Sequence, residues 1–404
     1  MFTTEVAAFG QRTNFEDLDR NIEWERAARI LDLDPRMVRR LHKPRMECVS
    51  RHECVAGVAS LYVAAGPRNC GKTVATIALE SGIGAHDVCE GERELQLELA
   101  LAEVHENSAV IGVQLPSAPM TEQEMWELAR QCVPIVSRVL GNTRLVPGDI
   151  CSAAFANWMA HEAAQYGVKL NAPKIEPEKY CAQRHQSIAE SVVQLSAMGL
   201  QEKGKKLRGA RATVIGLDRM AWKCMQTMHD AGVLMVAVAD ESGAVIRKAG
   251  IDVPPLLQHL ESGGLLAEYT DAEHALHSEA LAVDADILLL GARGDEITEK
   301  NSASVGAAIV IEGQSKGLDS DATDALNDRG VLVVPNRLTR YLQVREEFVH
   351  RRPDAGWHGN QGEMLKSAWQ EIATIRERHG LALPTATLLL ALQRLAENDR
   401  TSHP

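Results

Sequence analysis

The chain is poor in several things at once. Aromatic residues make up only 4% of its 404 residues, too few for the stacking platforms that hold nucleic-acid bases. Positive charge is in deficit. Forty-three Lys and Arg against 55 Asp and Glu leave a net charge of −12, which argues against nucleic acid or an anionic membrane as a partner. No apolar run approaches the length needed to span a bilayer. The opening MFTTEVAAFGQRTNFEDLDRN has neither a basic start nor an apolar core, so no signal peptide is expected and the chain reads as cytoplasmic. The eight cysteines (Cys48, Cys54, Cys70, Cys89, Cys132, Cys151, Cys181, Cys224) form no CxxC pair. No His/Cys cluster has ligand spacing, so reduced, mostly buried thiols and no metal site are expected. Lysine is missing from a whole stretch, with none between Lys72 and Lys169.

What remains is an ordinary globular composition, 45% apolar and 24% charged, in a chain long enough for two cores. Residues 15–43 carry a helical period, with Leu18, Ile22, Ala27, Ile30 and Leu31 on one face. SLYVAA and VATIAL, within 52–84, read as strands. Residues 91–105 read as an acidic amphipathic helix, 109–115 as a buried strand, and 121–140 and 152–166 as helices. Between about 170 and 184 the pattern weakens, and a connection between domains is expected. From 211 onward strands alternate with helices, which implies a parallel sheet with right-handed crossovers. Residues 361–398 read as helical. The fold class is α/β in two domains. An N-terminal substrate-type domain spans 1–190, a Rossmann-type domain 191–340, and C-terminal helices at 341–404 are expected to return to the first domain.

The stretch Ala212–Asp240, ATVIGLDRMAWKCMQTMHDAGVLMVAVAD, carries the most information. It reads as strand, tight turn, helix, strand, closed by an acid, which is a dinucleotide-binding β-α-β unit. The expected G-x-G-x-x-G/A turn reads Gly216-Leu217-Asp218-Arg219-Met220-Ala221. The middle glycine, which lets the backbone approach a pyrophosphate, is replaced by Asp218. Asp240 stands where an acid accepts the ribose 2′-hydroxyl of NAD, which favours NAD over NADP; the other reading makes it the first residue of a turn.

A second motif competes. Gly66-Pro67-Arg68-Asn69-Cys70-Gly71-Lys72-Thr73 matches G-x-x-x-x-G-K-[ST] in full. Its functional reading is a phosphate cradle with Lys72 on the β/γ-phosphates and Thr73 on magnesium. Its plainer reading, favoured by the strand-like VATIAL that follows, is a hairpin turn. His161-Glu162 lacks the second histidine of a zinc-binding helix and reads as ordinary helix.

These elements, in this order, resemble the glutamate/leucine/phenylalanine/valine dehydrogenase family over nearly the whole chain. The residues that carry the resemblance are VAVADESGAVI (236–246), the long run 284–340 with its small-residue loop at Ala292, its E-G loop and V-V-P, LALPTATLLLALQRLAEN (381–398), and RLVPGDICSAAFANWMAHEAAQYG (144–167). The resemblance implies reversible NAD(P)-dependent deamination of an amino acid. It also implies a catalytic acid/base at Asp149, whose other reading is a helix N-cap for residues 152–166, a cleft site between the domains, and a hexamer. That chemistry needs a lysine for the substrate carboxylate, a second lysine kept unprotonated by burial, and a proton-shuttling aspartate.

The chain departs from the family at those points. Its three lysine-bearing segments line up with Leu79–Ile83, His105–Ala109 and Leu115–Pro119, none of which contains a lysine. The E-G-A-N loop reads Glu312-Gly313-Gln314-Ser315, with Ser315 in place of the nicotinamide-contacting asparagine. Asn336 replaces an aspartate. Thr339-Arg340-Tyr341-Leu342-Gln343-Val344 replaces a glycine-bearing segment, so Arg340 and Tyr341 would crowd the site, with Arg340 either binding an acidic effector or plugging it. Arg184-His185-Gln186-Ser187-Ile188-Ala189 replaces R-x-x-A-T-G. The expectation is a catalytically impaired member serving as a regulatory or structural subunit. It would form a homo-oligomer or join an active paralogue in a hetero-oligomer, with an amino acid or nucleotide as effector. The alternatives are an active, divergent oxidoreductase with Lys72 as replacement base beside Asp149, and a nucleotide-responsive module built on 66–73. The cofactor positions are Gly216, Asp218, Arg219, Met220, Asp240, Ala292 and Ser315.

Overall fold

The structure, a computed structural model, describes residues 6–7, 27–35, 38, 45–66, 72–291, 296–313, 317–349 and 361–402. The chain divides into two compact units, residues 1–183 with 391–404, and residues 184–390. The sequence places the divisions at 190/191 and 340/341; in the structure they fall at 183/184 and 390/391.

The first unit is built on a seven-stranded sheet: β1 (Val6–Ala7), β2 (Arg45–Cys54), β3 (Gly57–Ala65), β4 (Thr73–Glu80), β5 (Asn107–Gln114), β6 (Thr143–Pro147) and β7 (Leu170–Asn171). Their order is β1-β2-β3-β5-β4-β6-β7. The β2–β3 and β3–β5 pairs are antiparallel; β5–β4, β4–β6 and β6–β7 are parallel. Helices α1 (Ala85–Leu101), α2 (Glu122–Leu140) and α3 (Ile150–Gln165) connect the parallel strands. α2 starts at Thr121, whose hydroxyl accepts from the Glu124 N–H while Glu124 accepts from the Thr121 N–H at 2.8 Å, a reciprocal cap. Leu128, Ala129, Cys132, Val133 and Val136 give α2 its buried face, packed with Leu61, Ile77, Ile111, Leu145 and Phe155.

Two expectations change here. β3 and β4, on either side of residues 66–73, do not pair as a hairpin. They are separated by β5, because the apolar run 109–113 is buried on both faces and takes a central place. The expected connection at 170–184 is half helix. α4 (Pro177–Glu202) begins inside it, with Pro177 at its first position, where a missing N–H costs nothing.

The second unit is a seven-stranded sheet of β8 (Arg211–Ile215), β9 (Leu234–Asp240), β10 (Gly243–Ile246), β11 (Glu273–Ala275), β12 (Ala285–Leu290), β13 (Ala307–Glu312) and β14 (Leu332–Val334), in the order β11-β10-β9-β8-β12-β13-β14. From β9 to β14 the pairs are parallel; β10 and β11 add an antiparallel edge. The helices are α5 (Arg219–Asp230), α6 (Val253–Glu261), α7 (His277–Leu281), α8 (Glu299–Ser302), α9 (Ser320–Asp328), α10 (Asn336–Thr339), α11 (Tyr341–Val349) and α12 (Gln361–His379), and α13 (Leu383–Ser402) crosses the division at 390/391. Met220, Ala221, Cys224, Met225 and Met228 form the buried stripe of α5. α4 approaches the sheet closely at Gly199, where a Cβ would lie 3.0 Å from both Ile309 and Leu332. The terminal helical region breaks at Gly380 (φ +63°), a left-handed helix end that glycine adopts without strain.

Candidate functional site

In the second unit the chain leaves β8 towards β9 on one side and later returns to place β12 on the other. The strand order thus reverses at β8, and open α/β sheets take ligands beyond the strand carboxyl ends at such a point. Three glycines shape the strand ends there. Gly216 has φ +85°, and its N–H donates to Ala239 O at 2.9 Å. The Gly291 N–H donates to Ile215 O at 2.7 Å, and a Cβ there would meet Gly216 O at 2.4 Å and Ala221 Cβ at 2.5 Å. The Gly313 N–H donates to Leu290 O at 2.9 Å, and its Cβ would lie 3.0 Å from Met220 Cε. Gly291 and Gly313 are packed too tightly for a Cβ, and Gly216 holds a left-handed φ that favours glycine.

The mouth of α5 is built differently. Asp218 is extended (φ −103°, ψ 178°) and caps the helix, its Oδ1 accepting from the Ala221 N–H at 2.7 Å. Arg219 is exposed with its guanidinium 5.4 Å from the Trp222 ring centre. Met220 is buried, its Sδ 3.4 Å from Cys224 Sγ, and burial drives the Cys224 thiol far above its ordinary range. His185, early in α4, is held below its usual value by burial. The Asp218 carboxylate opposes that shift, and Arg184 and Arg219 reinforce it. A dinucleotide pyrophosphate needs free N–H groups and no side chain at this position. With Asp218 on Ala221 N–H, the residues present do not fit that group.

Asp240 closes β9 as expected and also begins the β9–β10 turn, Oδ1 accepting from the Ser242 N–H at 2.8 Å and hydroxyl at 2.6 Å. Ala292 and Ser315 lie outside the described residues. After β14, Asn336 donates from Nδ2 to Gly313 O at 3.1 Å, and the Thr339 hydroxyl donates to Glu312 O at 2.9 Å. Both tie the chain to the end of β13. Tyr341, Leu342, Gln343, Val344 and Arg345 are buried. Arg340 Nε donates to Gln343 Oε1 at 3.2 Å, Gln343 Nε2 to Glu347 Oε2 at 2.5 Å, and Arg184 Nη1 lies 3.6 Å from Glu347 Oε1. The Ser187 hydroxyl donates to Glu346. Arg340 is therefore a member of an internal polar network.

In the first unit Asp149 follows β6 and caps α3, Oδ1 accepting from the Ser152 N–H at 2.7 Å. The Gly148 and Asp149 N–H groups both donate to the Ser152 hydroxyl at 2.9 Å. The loops after β4, β5 and β6 share this carboxyl end of the parallel strands. Residues 81–84, 115–120 and 148–149 contain no lysine or arginine. Lys72 is exposed and precedes β4, at the amino end. Thr73 pairs with Thr143 and Ile77 with Pro147, so Lys72 and Asp149 stand at opposite ends of the strands, ~20 Å apart at the usual rise per residue. They do not meet in one site. Thr73 opens a strand, where a phosphate cradle would need a helix N-terminus; residues 67–71 of that motif lie outside the described residues.

One titratable group went unanticipated. Glu92 is fully buried on α1, with Oε1 accepting from the Ser108 hydroxyl at 2.5 Å and Oε2 unpartnered. Burial pushes its carboxyl up to about 7, against the Ser108 hydrogen bond and Arg93. The signal was present in the sequence, because Glu92 sits on the stripe Val88, Cys89, Leu95, Gln96 of a helical period. Among the described residues no group of three His, Cys, Asp or Glu is placed to hold a metal, and no helix is long and apolar enough to cross a membrane.

Residues 182–340 match the model of the glutamate/leucine/phenylalanine/valine dehydrogenase family. The catabolic NAD-specific glutamate dehydrogenase RocG of Bacillus subtilis (strain 168) is 26% identical over 305 residues, 72% of this chain and 71% of that protein. An NAD-specific glutamate dehydrogenase of Staphylococcus aureus (strain COL) is 24% identical over 304 residues, 72% of this chain and 73% of that one. Among solved structures, the hetero-hexameric glutamate dehydrogenase from Thermus thermophilus in its leucine-bound form superposes with a TM-score of 0.79 at 21% identity. The match covers 98% of this chain and 99% of that one.

Proposed function

Because the chain belongs to the glutamate/leucine/phenylalanine/valine dehydrogenase family, we propose that it is a catalytically impaired member acting as a regulatory or structural subunit, assembled with an active relative. One observation carries the reading. The loops that follow β4, β5 and β6 contain no lysine or arginine, and their acids are Glu80, at the end of β4, and Asp149. An amino acid's carboxylate needs a cation opposite it, and attack by water on an imine needs a base held unprotonated by burial. Lys72 supplies neither from the other end of the sheet. Asp149, the family's acid/base by resemblance, works here as a helix cap, a task that needs no substrate.

Two further points belong to this reading. The solved structure from Thermus thermophilus is described as hetero-hexameric, which supports an assembly with a second, active chain. The relatives' NAD specificity, together with an acid closing β9, makes NAD rather than NADP the nucleotide to which this fold is related.

The test is NAD(P)H oxidation by the purified chain with ammonium and a panel of 2-oxo acids, prepared from a host lacking any active homologue. No turnover above a buffer control is expected. Steady turnover by the isolated chain overturns the reading. Co-expression with an active homologue then tests assembly. A mixed oligomer that separates as one species by size and mass is expected, and two separate populations would remove the partner role.

A further inference from the structure

The family's dinucleotide site requires a bare helix mouth, and this chain does not have one. We infer that Asp218 is an internal occupant of the pyrophosphate cradle, so that the second unit keeps the dinucleotide fold while its own side chain takes the place of the ligand. The inference rests on the family reading but not on the absence of turnover.

The geometry is specific. In the G-x-G-x-x-G/A turn the first glycine makes the sharp bend, the second lets the backbone approach phosphate, and the third position keeps helix and strand close. The first requirement is met by Gly216 at φ +85°. The third is met by the small Ala221, which packs so closely under Gly291 that a Cβ on the glycine would lie 2.5 Å from the alanine Cβ. Only the second position has changed, and it has changed to a residue that does what phosphate does. The Asp218 carboxylate accepts from Ala221 N–H at 2.7 Å and places a negative charge at the positive end of a 12-residue helix. A pyrophosphate arriving there meets an N–H already taken and a like charge.

The same substitution has a structural benefit that a catalytic enzyme would forgo. With no phosphate to satisfy the first turn of α5, a side-chain cap satisfies it permanently. Asp149 does the same for α3 and Asp319 for α9, the latter accepting from Ala322 N–H at 2.5 Å. Aspartate caps α3, α5 and α9 in the same way, and at α5 that cap closes the cradle.

The experiment is direct binding of NADH to the full chain, read by NADH fluorescence and by calorimetry, with no turnover involved. Three proteins are compared: wild type, Asp218→Gly and Asp218→Asn. Wild type is expected to show no saturation up to about 1 mM NADH. Asp218→Gly, which opens the cradle and keeps a residue tolerated at helix starts, is expected to bind at least about tenfold tighter. Asp218→Asn keeps an oxygen for Ala221 N–H but removes the charge, and should fall between the two. Should Asp218→Gly fail to fold, the Asn variant decides alone. Micromolar saturation by wild type overturns the inference. So does a folded variant that binds no better than wild type, because the block would then lie elsewhere. An inactive wild type that binds NADH tightly would sink the occupant and leave the proposed function standing.

Discussion

The carboxyl edges of the two sheets invite comparison, because both are places where an α/β unit takes its ligand and they are built in different ways. In the second unit the strand ends are set by close packing. Gly291 and Gly313 have no room for a Cβ, Gly216 turns at φ +85°, and Ala221 sits under Gly291. In the nucleotide turn the departure from the dinucleotide pattern is Asp218, whose carboxylate caps α5. In the first unit the strands and helix starts are also intact, yet the loops beyond β4, β5 and β6 are bare of cations. A chain that must still fold and pack is held by its core contacts at every step. A loop side chain on the surface carries no such packing constraint.

That contrast can be broken at its strong end first. Gly291→Ala drives a methyl to 2.4 Å from Gly216 O, backbone against backbone. Its expected cost is about 3 kcal/mol or more of stability, or loss of soluble protein, measured by denaturant unfolding. A neutral outcome would mean that the turns are looser than their distances say.

Glu92 is next. Its ordinary value is 4.5 and its value in the fold is about 7. Below about pH 4.5 the group is protonated in both states and carries no penalty. As pH rises towards 7 the unfolded chain ionises while the fold holds the proton, and stability falls by about 3 kcal/mol in all before levelling. Glu92→Gln should remove this slope, raising the melting temperature relative to wild type at pH 8 and not at pH 4. A parallel pair of profiles would show that Glu92 titrates normally.

The caps come third. Asp149→Ala and Asp218→Ala should each cost about 1 kcal/mol, with Asp→Asn largely sparing it, by thermal unfolding. Smallest is Lys72→Ala, expected within about 0.5 kcal/mol of wild type and without effect on any turnover assay. A clear loss of activity there would return Lys72 to the chemistry.

Much of this was legible along the chain. The β8–α5–β9 unit, the acid at Asp240, the parallel alternation after 211 and the altered turn at Asp218 all follow from local pattern. They depend on residues near one another in sequence, and turn and capping chemistry is local. The run 66–73 shows where locality stops. Two strand-like segments around a glycine-rich loop read as a hairpin, yet β5 from 40 residues downstream lies between them, since strand order is decided by which apolar run must be buried on both faces. The stretch 170–184 contains the division at 183/184 and also the start of α4. α4 is polar at its start and becomes visible as a helix only through what it packs against.

The sequence by itself determined the class of fold, the kinship, the missing lysines and the one changed residue in the nucleotide turn, because composition and short motifs are properties of neighbours in the chain. Only the tertiary structure decided that Lys72 and Asp149 stand at opposite ends of a sheet, that Arg340 is tied into an internal network with Gln343 and Glu347, and that the Asp218 carboxylate occupies the helix mouth. Those facts depend on register, burial and direction, which arise when distant segments are brought together and each polar group must find a partner.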